Sequence, residues 1–138
     1  VRMGDPECQT ILPLLKNDFL EILESCMNGD LEKIKLVWKN KKSICIVLSS
    51  KGYPDSFQKN ILIKNLNKLK NNENQFIFHA GTKFENNEYY STGGRVLNFV
   101  SLDRKFAIAR SKSLDLIKKL NWKKGHFRKD IGYKVIDN

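Results

Sequence analysis

Cysteine is scarce: Cys8, Cys26 and Cys45 are the whole supply in 138 residues. The number is odd, the spacing is wide and no C-x-x-C pair exists, so neither a disulfide framework nor a zinc site is expected. Only His79 and His126 are available as further ligands. Reduced thiols in a cytoplasmic protein fit this usage best. Long apolar runs are missing too. The longest, Ile44 to Leu48, has the length of a strand, far below the ~20 residues needed to span a bilayer. The opening residues, Val1-Arg2-Met3-Gly4-Asp5-Pro6, contain neither an initiator methionine nor the apolar core of a signal peptide, and the expectation is an interior piece of a longer chain. No Walker loop, dinucleotide fingerprint or nucleophile elbow occurs, and no Ser-His-Asp or Cys-His set has a recognisable spacing. An autonomous enzyme is therefore not expected.

What is present is a globular composition, 41% hydrophobic and 29% charged, in a chain long enough to bury roughly two-thirds of its unfolded surface. The net charge is +10. Such a charge suits a phosphate backbone, and a non-enzymatic basic module binding phosphate or nucleic acid is the alternative function. Against it, 20 of the 25 basic residues are Lys, alongside 14 Asn and 12 Ile. All three residue types share A/T-rich codons. The densest runs, Lys39 to Lys42 and Lys118 to Lys124, are short and far apart, and the aromatic interleaving of single-strand binders is absent. No nucleic-acid partner and no membrane partner are expected.

Leu12, Leu15, Phe19, Ile22, Leu23 and Cys26 recur at three- and four-residue steps and predict one helix from about Leu12 to Met27, stopped by Asn28-Gly29-Asp30. After the basic link Lys39 to Lys42 the period changes. Ile44 to Ser50 predicts a buried strand, Lys51 to Asp55 a loop, Gln75 to His79 a strand, Glu88 to Tyr90 a short strand and Arg95 to Val100 another. Asn71, Asn72, Asn86 and Asn87 mark turns. Asp103 is expected to cap a helix carrying Phe106, Ala109, Ser113, Leu116, Ile117 and Leu120 on one face. A last strand is expected between Phe127 and Ile136. Strands joined by loops and covered by a helix predict an α+β domain with a mostly antiparallel sheet.

Three loop clusters have the residue types for chemistry. In Arg2-Met3-Gly4-Asp5-Pro6-Glu7 a planar guanidinium suited to phosphate or carboxylate oxygens sits beside a carboxylate able to hold an amine. The other reading is a solvated turn with Glu7 at a helix start. In His79-Ala80-Gly81-Thr82-Lys83 backbone amides, a hydroxyl and an ammonium can hold an anion, while His79 on an apolar strand reads equally as a packed group. In Thr92-Gly93-Gly94-Arg95 the paired glycines allow close backbone approach, or simply form a turn. Lys83 and Arg95 flank one predicted hairpin, where a phosphate would bridge them.

Taken in order, these clusters resemble the phosphoribosylamine–glycine ligase family, the glycinamide ribonucleotide synthetases. Val1 to Gln9 resembles the motif closing the family's ATP-grasp domain, and Leu14-Leu15-Lys16-Asn17-Asp18 the helix after it. Ser50-Lys51-Gly52-Tyr53-Pro54, Phe78 to Lys83, Gly93 to Leu97 and Arg128-Lys129-Asp130-Ile131-Gly132 resemble motifs of its C-terminal domain. The likeness spans the chain. It departs from the family at Met3, Asp55 and Thr92, where Phe, Gly and Asn are usual.

The resemblance implies a division into residues 1–42, the end of an ATP-grasp domain, and 43–138, a small C-terminal domain of the rudimentary single-hybrid type. It implies a cytoplasmic ATP-dependent C–N ligase of purine biosynthesis that joins glycine to 5-phosphoribosylamine. Arg2 and Asp5 would be catalytic, and Lys83, Gly94 and Arg95 would bind substrate. The cofactors would be ATP and Mg²⁺ (or Mn²⁺). The family's metal-bearing Glu-x-Asn would precede Arg2, so no metal ligand is assigned within these residues, and the partner would be the N-terminal remainder of the same enzyme.

Overall fold

A computed structural model describes residues 2–136. The chain begins with a short helix, α1 (Glu7–Ile11), a 3₁₀ turn at Leu12–Leu14, and a second helix, α2 (Phe19–Asn28). The single helix expected from Leu12 to Met27 is therefore two pieces. Pro13 lies in the 3₁₀ turn, Leu15 is extended (φ −72°, ψ 138°), and the Asp18 side chain caps α2 by accepting from Leu20 N–H. Apolar spacing continues across this break although α2 buries no residue completely and its Leu23 and Cys26 are exposed. Proline cannot donate within a helix and Asp competes for the cap; periodicity alone registers neither. Asn17 anchors the break by donating to Lys35 C=O and accepting from Val37 N–H. The stop at Asn28-Gly29-Asp30 is as expected, with Gly29 left-handed at φ 75°.

Among the described residues seven strands follow: β1 (Lys42–Ser50), β2 (Ile61–Leu62), β3 (Gln75–His79), β4 (Thr82–Glu85), β5 (Glu88–Ser91), β6 (Arg95–Asp103) and β7 (Gly125–His126), with α3 (Phe106–Leu120) after β6. They form a four-stranded sheet, β3-β6-β1-β7, and a three-stranded one, β2-β5-β4. Every ladder between the named strands is antiparallel, so the expected α+β class is correct. Strands β2 and β4 were not anticipated: the first is two residues long, and β4 is largely polar and exposed. Asn86 and Asn87, at φ 50° and 63°, form the left-handed two-residue turn that joins β4 to β5.

Two expectations about the C-terminal third need correction. Asp103 does not cap α3. Lys105 stands at the cap position, and Asp103 instead accepts from Lys105 N–H and Lys112 Nζ, the latter at 2.7 Å. These donors hold its carboxyl below the usual carboxylate range. The last strand, β7, precedes Phe127, and the stretch after it runs in turns to a 3₁₀ turn at Tyr133–Val135. The Arg110 guanidinium donates to Lys129 C=O and Ile131 C=O, occupying carbonyls that a strand would need.

The core lies between the four-stranded sheet and α3. Ile44, Ile46 and Leu48 of β1, Leu97 and Phe99 of β6, and Ala109, Leu116, Ile117 and Leu120 of α3 are buried there. Ser113 donates to Ser101 across the same interface at 2.9 Å. Leu120 has no exposed surface. Leu120→Ala should lower unfolding stability by about 2–5 kcal/mol in urea titration, whereas Met27→Ala, at a position 87% exposed, should leave it almost unchanged.

Candidate functional site

Strand β1 alternates. With Ile44, Ile46 and Leu48 under α3, Cys45, Val47 and Ser49 necessarily point to the opposite face of the sheet. There they floor a cleft of about 510 Å³ walled by Pro6, Tyr53, Pro54, Phe127 and Ile131 and edged by Arg95, His126 and Arg128. The β1–β6 register slips between Leu48 and Ser49, which brings Arg95 opposite Ser49. Ser50 fastens this corner, its N–H donating to Gly94 C=O at 2.7 Å and its hydroxyl to Gly93 C=O at 3.0 Å.

Four of the sequence clusters meet at this cleft: Pro6, Tyr53-Pro54, Arg95, and Arg128 with Ile131. The closest tie is between Arg95 and Asp5, 90 positions apart. Arg95 donates to Asp5 C=O at 2.6 Å and pairs with its Oδ2 at 3.0 Å. Gln9 Nε2 donates to the other carboxylate oxygen, Oδ1, at 2.9 Å. Asp5 and Arg95 are thus brought together, each still about half exposed. Arg2 is exposed. Glu7 is the first residue of α1 and accepts from Gly4 N–H at 3.2 Å, which matches the turn reading of that residue.

Lys83 stands apart from this pair. It lies on β4, bound to Glu85 at 2.7 Å and over the Tyr90 ring at 5.6 Å. The expected common mouth for Lys83 and Arg95 is approached only through backbone, since Gly81 N–H donates to Arg95 C=O at 2.9 Å. The glycines serve that approach. A Cβ on Gly81 would lie 2.6 Å from Gly93 Cα, and one on Gly94 would overlap the Tyr53 ring. His79 Nδ1 is 2.8 Å from Thr82 Oγ1 and its ring packs 4.9 Å from Tyr89. Partial desolvation against these neighbours lowers its pKa from the ordinary histidine value.

Residue-type reasoning assigned no role to Tyr53, His126, Phe127 or Arg128. The signal was available, because Tyr53 and Arg128 stand in two of the quoted motifs. Arg128 donates to both carboxylate oxygens of Asp130, at 3.1 and 2.6 Å, and this depresses the Asp130 pKa. Among the described residues no three His, Cys, Asp or Glu side chains converge to hold a metal ion. Mg²⁺ is commonly held by one or two carboxylates together with substrate phosphates, and the Asp5 carboxylate beside the cleft is already engaged by Arg95 and Gln9. No described helix is long and apolar enough to cross a membrane.

Residues 43–134 match the family described as phosphoribosylglycinamide synthetase, C domain. The chain belongs to this family. It is 42% identical over 133 residues to a phosphoribosylamine–glycine ligase of Fusobacterium nucleatum, covering 96% of this chain and 31% of that protein. It is 40% identical to a bifunctional purine biosynthetic protein of Dictyostelium discoideum, over 99% of this chain and 17% of that one. The solved phosphoribosylamine–glycine ligase of Thermotoga maritima superposes with a TM-score of 0.71 at 27% identity, covering 96% of this chain and 32% of that one. The chain thus spans about a third of the length of the ligases it matches, and corresponds to their C-terminal portion.

Cys45 on the cleft floor is no nucleophile. Burial, then the nearby Asp5 charge, pushes its thiol up to about 12, against a weaker opposing hydrogen bond with Thr10. The thiolate is the reactive form. In iodoacetamide labelling at pH 8, the exposed Cys26 should react first and Cys45 last. Early modification of Cys45 in the folded chain would contradict this environment.

Proposed function

We propose that the whole protein is an ATP-dependent C–N ligase that joins glycine to 5-phosphoribosylamine, forming glycinamide ribonucleotide, ADP and phosphate, and that this chain supplies its C-terminal part. The observation that carries the reading is the Arg95–Asp5 contact, in which two separate family motifs close on one another at a shared cleft. The chemistry needs phosphate charge neutralised and an amine aligned on an acyl phosphate. Glycine carboxylate is first activated as the acyl phosphate at the expense of ATP. The substrate amine then attacks its carbonyl carbon, the amide C–N bond forms, inorganic phosphate leaves, and the amine loses a proton.

Each residue has one part in this scheme. Asp5 accepts from and orients the amine. Arg2 faces the acyl phosphate. Arg95, with the Gly94 backbone, holds the 5′-phosphate, and Lys83 joins it only on leaving Glu85. The substrate carries an amine and a phosphate, and the site offers a carboxylate and a guanidinium that neutralise each other when no substrate is bound. A phosphate drawing Arg95 away leaves Asp5 to the amine. The family match beginning at residue 43 supports a boundary there, with residues 1–42 completing an ATP-grasp unit. The face of α2 bearing Leu20, Leu23 and Met27 is exposed and is the surface on which the preceding part of that unit packs. ATP and Mg²⁺ or Mn²⁺ belong with that part, and the compartment is the cytoplasm. The nucleic-acid alternative is weakened by Lys39, which donates to Pro13 C=O, and Lys41, which bonds Asn74. Two of the three lysines in that run are spent on internal joints.

Two measurements test the reading. In the full-length protein, removing a charged hydrogen bond costs roughly 1.5–3 kcal/mol, so Arg95→Ala should weaken glycinamide ribonucleotide binding by about one to two decades in calorimetric titration. ATP affinity should be nearly constant, and Arg95→Lys should recover only part, because an ammonium cannot replace the planar fork. Product binding like wild type in both Arg95→Ala and Lys83→Ala would return these residues to structural roles. The 138-residue chain alone, incubated with ATP, glycine and phosphoribosylamine, should form no product, since the nucleotide and metal parts of the chemistry lie elsewhere.

A further inference from the structure

Asp5 has two carboxylate oxygens and two partners. Oδ2 faces Arg95 and Oδ1 accepts from Gln9 Nε2 at 2.9 Å. These partners differ in what they can do during a reaction. Arg95 spends donors of both terminal nitrogens on Asp5; on the reading proposed above, a substrate phosphate draws the guanidinium away, and the Arg95 contact is the one surrendered. Gln9 sits inside α1, four residues after Asp5, and its amide carries no charge for a substrate phosphate to draw away.

The Gln9 amide is also oriented by its surroundings. A carboxylate only accepts, so the NH₂ group must face Asp5 and Oε1 must face the other way. Oε1 is buried and has no partner there. Thr10, the next residue of α1, donates to Pro6 C=O at 3.1 Å, and Pro6 lines the cleft beside Cys45 and Val47, which places the start of α1 on the Cys45–Val47 face of the sheet. Asn98 lies opposite Val47 on that face, 1% exposed, with both amide atoms unpartnered. A buried polar atom without a partner costs stability. An apolar side chain of equal length at position 9 would avoid that cost. What Gln9 adds is the bond to Asp5.

We propose that Gln9 is a positioning residue that holds the Asp5 carboxylate in its working orientation once Arg95 has turned to the substrate phosphate. This deepens the reading of Asp5 as the group that orients the amine and rests on it. A carboxylate tethered at one oxygen presents the other at a fixed angle to the incoming amine. Without Gln9 it rotates freely about its χ angles when Arg95 leaves.

The test is made in the full-length protein with Gln9→Met, Gln9→Glu and Asp5→Asn. Gln9→Met removes the donor and the orphaned oxygen together. It should keep or raise the melting temperature while lowering kcat by roughly ten- to a hundredfold, with KM for ATP nearly unchanged. Stability and turnover moving in opposite directions is an outcome that a packing role cannot give. Gln9→Glu sets a second carboxylate against Asp5, so the acid limb of its kcat–pH profile should move up by about one unit. A kcat for Gln9→Met within about twofold of wild type, or a loss only in proportion to lost stability, overturns the proposal. Should Gln9→Met fail to fold, an unshifted acid limb in Gln9→Glu overturns it instead. Asp5→Asn separates the two layers. If Asp5→Asn keeps full kcat, the assignment of Asp5 itself fails; if Asp5→Asn loses kcat while the Gln9 variants keep it, only the positioning role fails.

Discussion

The antiparallel ladder between β1 and β6 is the constraint on which the other parts depend. It runs from Lys42 opposite Asp103 to Ser49 opposite Arg95. Because side chains alternate along both strands, one pairing decides two surfaces at once. Ile44, Ile46, Leu48, Leu97 and Phe99 go under α3 and make the core. Cys45, Val47 and Ser49 go the other way and floor the cleft. A slip of one residue would exchange the surfaces, setting aliphatic groups in the cleft and a serine and a cysteine beneath the helix. The single irregularity in that ladder, between Leu48 and Ser49, falls where Arg95 must be aimed.

Around this ladder the charged groups work as mutual placeholders. Arg95 and Asp5 satisfy one another across 90 positions of sequence, and Lys83 is held by Glu85 in the neighbouring hairpin. All four are partly exposed, so these pairs contribute little to stability. They keep donors and acceptors ordered at low cost. The Cys45 thiol, kept protonated beneath them, adds no competing charge.

Much of the architecture was legible because it rests on signals of the right length. The continuous apolar runs of β1 and β6, and the 3.6-residue stripe of α3, are each long enough to outvote local exceptions. The failures have local causes. Pro13 and Asp18 cut a helix whose apolar spacing never faltered, β4 carries too little apolar surface to announce itself, and Asp103 spends its carboxylate on Lys112 rather than on the helix start. At the site, Arg2, Asp5, Lys83, Gly94 and Arg95 were singled out by residue type and by resemblance to a family. The Asp5–Arg95 contact was not legible, since no pattern in one sequence pairs positions so far apart. Tyr53 and Arg128 stand in quoted motifs yet carried no assigned role, and Phe127 is unremarkable until the fold gathers it with them.

Gly94 shows how tightly that gathering is fitted. Its missing side chain is the seat of the Tyr53 ring, and a single added methyl would overlap it. Tyr53 is a wall of the cleft, and Gly94 adjoins Arg95. One hydrogen atom's worth of space therefore sets where that wall of the cleft stands. A side chain at position 94 would displace the Tyr53 ring and reshape the cavity from a residue that does not line it. Shape at this corner is inherited from an absence, and the tolerance for drift there is close to zero.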